Sequence, residues 1–97
     1  MHAVVTKLTL AKPIDPALLE KLAEFVPQMQ KHAGFLDLQL IRVSDSEAIA
    51  LGFYSTREVL DDLSSKVAAP WFAEHVRPYL AGPVERAVGE VIAQAGR

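Results

Sequence analysis

The sequence contains no cysteine, which removes disulfides, thiolate catalysis and cysteine-ligated zinc or iron–sulfur centres from consideration. That usage fits a reducing cytoplasm, the compartment expected for this chain. No apolar run approaches the ~18 residues that a membrane-crossing helix needs. The opening residues, MHAVVTKLTLAK, lack the charged start, apolar block and small-residue cleavage site of a secretory signal. Lys and Arg nowhere cluster and the formal net charge is −2, so no phosphate-binding surface for nucleic acid is expected. The five glycines stand singly, which leaves no Gly-rich loop to cradle a pyrophosphate. Three separated histidines, His2, His32 and His75, show none of the short spacings that build a metal site, and no metal is expected.

What is present is apolar surface. At 97 residues the chain is expected to be a single domain, burying roughly 65% of the surface its unfolded form exposes. Hydrophobic residues make up 51% and charged residues 23%, slightly more apolar than such a size hides alone. The excess concentrates in Gly34 to Tyr54, GFLDLQLIRVSDSEAIALGFY, which reads as two strands folded back around Ser44–Glu47. With Asp45 and Ser46 at the tip, Leu38 faces Phe53 and Leu40 faces Leu51. One face then collects Leu36, Leu38, Leu40, Ile49, Leu51 and Phe53 and needs a helical cover. The other collects Asp37, Gln39, Ile41 and Val43 with Ala48, Ala50, Gly52 and Tyr54. Because Asp45-Ser46 lacks the Gly or Asn that positive φ favours, a four-residue loop of the same parity is expected.

Around this hairpin the start and stop signals are clear. Ala3 to Leu10 is rich in β-branched residues and bounded by Lys12-Pro13, which marks a first strand. Asp15-Pro16 supplies a cap and a proline at the first helical position. Leu18, Leu22, Phe25 and Met29 follow at helical spacing, with Pro27 expected to kink the last turn and Gly34 to take a left-handed cap. After the hairpin, Ser55-Thr56-Arg57-Glu58 matches a capping box opening a second helix near residue 56, with Val59, Leu60, Leu63 and Val67 as its buried stripe. Pro70 starts a further helical piece from Trp71 to about Val76, and Pro78 stops it. Gly82-Pro83 turns the chain into a last strand from Val84 to Ala93, with Gly89 as a candidate bulge.

The order strand, helix, strand, strand, helix, strand predicts an α+β fold. A four-stranded antiparallel sheet carries both helical regions on one face, the ferredoxin-like βαββαβ arrangement. The opposite face is bare, and at about 25 cal/mol per Å² of apolar area its exposure favours pairing with a second copy of the chain.

This order, with HAGFLDLQLIRV, the F-Y-S-T-R-E junction and A-A-P-W-F-A-E-H-V, resembles the antibiotic biosynthesis monooxygenase family of dimeric α+β barrels over nearly the whole chain. The resemblance implies a homodimer with a ligand cavity between sheet and helices. It also implies a cofactor-independent oxidation of a phenolic polyketide or quinol by O₂, the substrate's own enolate or phenolate supplying the electron. The family's haem-degrading branch has Asn on strand one, Trp at the end of strand three and His on the second helical region. This chain offers Thr6, Tyr54 and a His75 one residue out of register, which weighs against haem degradation.

Five residues are candidates for such a site. His75 carries an imidazole, the side-chain type suited to proton abstraction, although beside Glu74 and Arg77 it reads equally as a solvated surface histidine. Trp71, one helical turn earlier, is either an aromatic wall for a flat substrate or a core contact. Tyr54 offers a hydrogen bond to a substrate oxygen or a structural one across to Asp37. Thr6 and Arg42 complete the set, Arg42 either reaching a pocket mouth or snorkelling to water. The competing reading is a non-catalytic dimeric barrel that binds a small apolar molecule or serves as an interaction module.

Overall fold

The computed structural model describes residues 1 to 95. Strand β1 (His2–Thr9) leads into α1 (Pro16–Gln30), the hairpin β2 (Phe35–Arg42) and β3 (Glu47–Tyr54), then α2 (Arg57–Leu63), α3 (Ala69–His75) and β4 (Glu85–Glu90). The four strands form one antiparallel sheet in the order β2-β3-β1-β4. The expected ferredoxin-like arrangement is therefore the observed one, with the helices on one face. Among the described residues no helix is long and apolar enough to cross a membrane.

Local chemistry explains each boundary. Asp15 caps α1 by accepting the Leu18 amide at 3.0 Å, with Pro16 at the first position. Leu18, Phe25 and Met29 form its buried stripe. Pro27 leaves α1 unbroken; it and Ala23, whose carbonyl it cannot bond, both lie on the exposed side of the helix. Gly34 adopts φ +90°, and a side chain there would lie 2.7 Å from the Ser55 hydroxyl and 2.9 Å from Val59, so both backbone and space require glycine.

The cap of α2 differs from the expected capping box. Thr56, not Ser55, accepts the Val59 amide at 3.2 Å, which places Glu58 too early in the helix to complete the reciprocal pair. Between α2 and α3 lies a feature the sequence did not announce, a π-helical turn over Ser64–Ala68 in which the Ala69 amide donates to the Ser64 carbonyl. Ser65 donates its hydroxyl to the Asp61 and Asp62 carbonyls at 2.9 and 3.2 Å, and Pro70 has no amide with which to restore α-helical pairing. A 3₁₀ turn, Arg77–Tyr79, follows α3. The bulge expected at Gly89 is absent, since Gly89 pairs regularly with Ala3; the irregularity is at Leu36 in β2.

The hairpin register is shifted by one residue from expectation. Leu38 faces Gly52, Leu40 faces Ala50 and Ile41 faces Ile49. The turn explains the shift: the Val43 and Ser44 amides both donate to the Glu47 carbonyl, so an odd number of residues separates the last pair, Arg42 and Ala48. Odd parity exchanges the two faces of β3. The helices therefore cover Ala48, Ala50, Gly52 and Tyr54, while Ile49, Leu51 and Phe53 join Ala3, Val5 and Ile41 on the bare side. Leu36, expected in the core, is half exposed at the bulge.

Burial beneath the helices falls into two clusters. One gathers Leu8, Leu10, Ile14, Leu18, Ala48, Val76 and Tyr79; the other gathers Phe25, Met29, Tyr54, Leu60 and Leu63. Trp71 packs against both.

Candidate functional site

The small residues of β3 determine what happens between sheet and helices. Ala48, Ala50 and Gly52 on the covered face of a central strand cannot fill the layer that the helices bridge, and a cavity of about 660 Å³ opens there. That lies within the range of roughly 300–1,000 Å³ typical of small-molecule sites. Val4, Thr6 and Leu8 of β1, Leu38 and Leu40 of β2, Leu18, Leu22 and Phe25 of α1 and Trp71 and Phe72 of α3 line it.

One wall is aromatic. Trp71 stacks on Phe25 with ring centroids 4.5 Å apart and planes 15° from parallel, which fixes a flat surface facing the chamber. Opposite polarity comes from Tyr54, Thr6, Ser64 and Arg86, which also border the cavity. Tyr54 is 2% exposed and rests edge-on against Phe35 at 5.9 Å. Gly52 makes that placement possible, because a Cβ there would sit 3.2 Å from the Tyr54 ring and 3.1 Å from Val4. Burial pushes the Tyr54 hydroxyl above its ordinary pKa, with the Ser64 hydroxyl and the Arg86 charge acting in the opposite direction. The group is thus a neutral phenol at physiological pH, able to donate a hydrogen bond.

A second polar contact closes one end. Tyr79, a cavity-lining residue, donates its hydroxyl to Asp15 Oδ1 at 2.6 Å. Lys12 lies 4.4 Å from the centre of the Tyr79 ring. The Tyr79 bond and then the Leu18 amide hold the Asp15 carboxyl below its usual range, and the same bond raises Tyr79. This bond ties the start of α1 to the turn after α3.

Of the five expected site residues, the structure brings Thr6, Tyr54 and Trp71 to the cavity. Tyr54 faces Phe35 rather than Asp37 across the strands, a result of the register shift. His75 is not among the lining residues. Its ring packs 5.1 Å from Trp71, and its Nε2 lies 3.6 Å from the carboxylate of exposed Glu74. Arg42 is also outside the lining, because its guanidinium donates to the Ile14 carbonyl at 3.1 Å and so anchors the segment before α1. Arg86 and Ser64 were missed. Arg86 was findable, since it alternates with Val84 and Val88 and shares their inward parity, whereas Ser64 is placed by a π turn that no pattern signals.

The fold and its cavity define a class, the ferredoxin-like α+β proteins with a cavity between sheet and helices. Solved structures similar to this chain include a variant of SnoaB from Streptomyces nogalater, a cofactor-independent oxygenase. It is 14% identical, with 99% of this chain and 97% of that one covered at a TM-score of 0.75. The monooxygenase ActVA-Orf6 of Streptomyces coelicolor, in complex with nanaomycin D, is 14% identical over 99% and 91% of the two chains, with a TM-score of 0.73. A variant of MhuD with two manganese protoporphyrin IX bound per active site is 16% identical over the full length of both, with a TM-score of 0.74. Further similar structures carry the antibiotic biosynthesis monooxygenase name, so the chain shares its fold with proteins of that family over nearly its whole length. No protein-family model and no curated protein matches the sequence.

Proposed function

We propose that the chain is a cofactor-independent monooxygenase that oxidises a small aromatic, polyketide- or quinol-like substrate with O₂, working as a cytoplasmic homodimer. The observation that carries this reading is a cavity of about 660 Å³ with a stacked Trp71–Phe25 wall and a buried neutral phenol at Tyr54. A planar substrate lies against the indole and its oxygen accepts from Tyr54, with Thr6 beside it. Oxidation of an activated methylene balances without a cofactor: the carbon loses two hydrogens and gains one oxygen atom of O₂, and the other oxygen leaves as water. The substrate supplies all the electrons. The sharing of the fold with SnoaB and ActVA-Orf6 supports the reaction class.

In this reading His75 acts through its contact with Trp71 and positions the indole, rather than touching substrate. The homodimer follows from the bare sheet face, where Val5 and Ile41 are exposed beside Leu51 and Phe53. The same observation about His75 favours a second reading, a barrel that binds an aromatic molecule without oxidising it. Oxygen uptake on an anthrone and naphthoquinol panel separates the two. Uptake by the native chain exceeding that of a Trp71→Ala variant is the expected result, and no excess on any substrate overturns the enzymatic reading.

A further inference from the structure

Polar and apolar side chains are not mixed around the cavity but gather toward opposite ends. Trp71 stands at the junction, packed against both buried clusters. Toward α2 and the π turn lie the hydroxyls of Tyr54, Ser64 and Ser65 and the carboxylate of Asp61, which accepts from Arg57 at 3.0 Å. Gln39 of β2 borders this part too, its amide donating to Asp37 at 2.9 Å. Thr6 and Arg86, paired across β1 and β4, mark the limit of the polar set.

Beyond Thr6 the chain continues through Leu8 to Leu10, roughly 13 Å of extended backbone, and both leucines line the cavity. Ile14, Leu18 and Val76 share one buried cluster with them and line the cavity as well, and none of the five is more than 7% exposed. The polar groups at this end are turned elsewhere. Tyr79 gives its hydroxyl to Asp15, and Lys12 lies over its ring. Arg77 stands exposed at the rim, where the cavity adjoins a second hollow of about 420 Å³ bordered by Leu80, Gly82 and Val84.

This division constrains what extends from an aromatic head. A polyphenolic ring system spreads its oxygens over several rings, so some of them would enter the space beside Leu8, Leu10, Ile14 and Leu18. There a hydroxyl loses its water and finds no partner. A hydrocarbon extension loses nothing by leaving water and gains with every methylene buried. The flat Trp71–Phe25 stack belongs to the other end, because Phe25 is buried with Tyr54.

We infer that the ligand is an aromatic head carrying one unbranched alkyl chain, the head's oxygens toward Tyr54 and Thr6 and the chain laid along Leu8 and Leu10 against Ile14 and Leu18. The inference rests on the proposed aromatic occupant and deepens it, selecting an alkylated quinol over a phenolic polycycle. The chain's single tryptophan borders the cavity, so binding is read by its fluorescence without a label.

The test titrates the native protein with naphthoquinones bearing a methyl, butyl or octyl chain, which share one head and differ only in length. A fully buried methylene strengthens binding about fourfold, so the octyl probe is expected to bind about thirtyfold more tightly than the methyl probe, or better. Val84→Phe and Leu10→Phe each place bulk in the apolar end and are expected to bring the octyl-to-methyl ratio down to about threefold or less. Unchanged far-ultraviolet circular dichroism certifies folding in both variants. Equal affinity for the methyl and octyl probes in the native protein overturns the inference and leaves the aromatic occupant standing. A full length dependence in both phenylalanine variants also overturns it, because the alkyl chain then lies elsewhere on the protein. Binding of none of the three probes overturns this inference and the proposed aromatic occupant together.

Discussion

The two faces of the sheet use the same four strands to opposite ends. The covered face carries Ala48, Ala50 and Gly52 at its centre and leaves a chamber under the helices. The bare face carries Ile49, Leu51 and Phe53 at the neighbouring positions, large side chains with no helix over them. A strand built only to fill a core places bulk beneath the helices. Here the bulk goes to the uncovered side of the sheet and the small residues to the side that borders the cavity. Side-chain size on β3 therefore separates the uncovered face from the one that lines the cavity.

The comparison breaks most visibly on the bare face. Phe53→Asp is expected to weaken self-association by about a thousandfold or more, since a paired interface would bury an unpartnered carboxylate from each copy at about 3–5 kcal/mol. Sedimentation equilibrium reads it, and a native chain that runs as a monomer at micromolar concentration removes the dimer. Next is Leu60→Ala beneath α2, where a fully buried side chain is lost. A fall in unfolding free energy of about 3 kcal/mol is expected in urea titration, with association unchanged. Third, Ala50→Leu fills the chamber instead of emptying a core. It is expected to cut aromatic binding at least tenfold while holding or raising the melting temperature.

The smallest effect concerns the closed end. Asp15, held low by Tyr79, contributes stability that is present above the unfolded carboxyl pKa of about 3.9 and is lost as pH falls through its lower folded value. Tyr79, held high by the same bond, contributes stability that is present below about pH 10 and is lost as pH rises through its folded value. Tyr79→Phe is expected to move the onset of acid unfolding to higher pH, followed by circular dichroism; an unchanged acid limb would show that the bond carries no stability.

Element order and the caps at Asp15 and Gly34 were legible in the sequence because they rest on local chemistry: a proline behind an acid, and a glycine where positive φ is required. Three cavity residues, Thr6, Tyr54 and Trp71, were legible too. The hairpin register was not, because it depends on whether the turn has odd or even length, and Ser44–Glu47 carries no residue that specifies the turn type. The assumption that the larger apolar set faces the helices then assigned both faces of β3 the wrong way round. His75 misled for a related reason. A helical turn from Trp71 guarantees contact with the indole but not a view of the same space.

The π turn at Ser64–Ala68 gives the indole its aim. It lodges one residue more than an α-helix of the same rise, so everything beyond it is rotated about the helix axis by roughly 100° relative to an uninterrupted helix. Wound as an uninterrupted α-helix with every residue kept, the same sequence would carry Trp71 off Phe25 without changing any lining side chain. The aromatic wall is therefore set by the winding of a short connecting segment as much as by the identity of the residue that forms it.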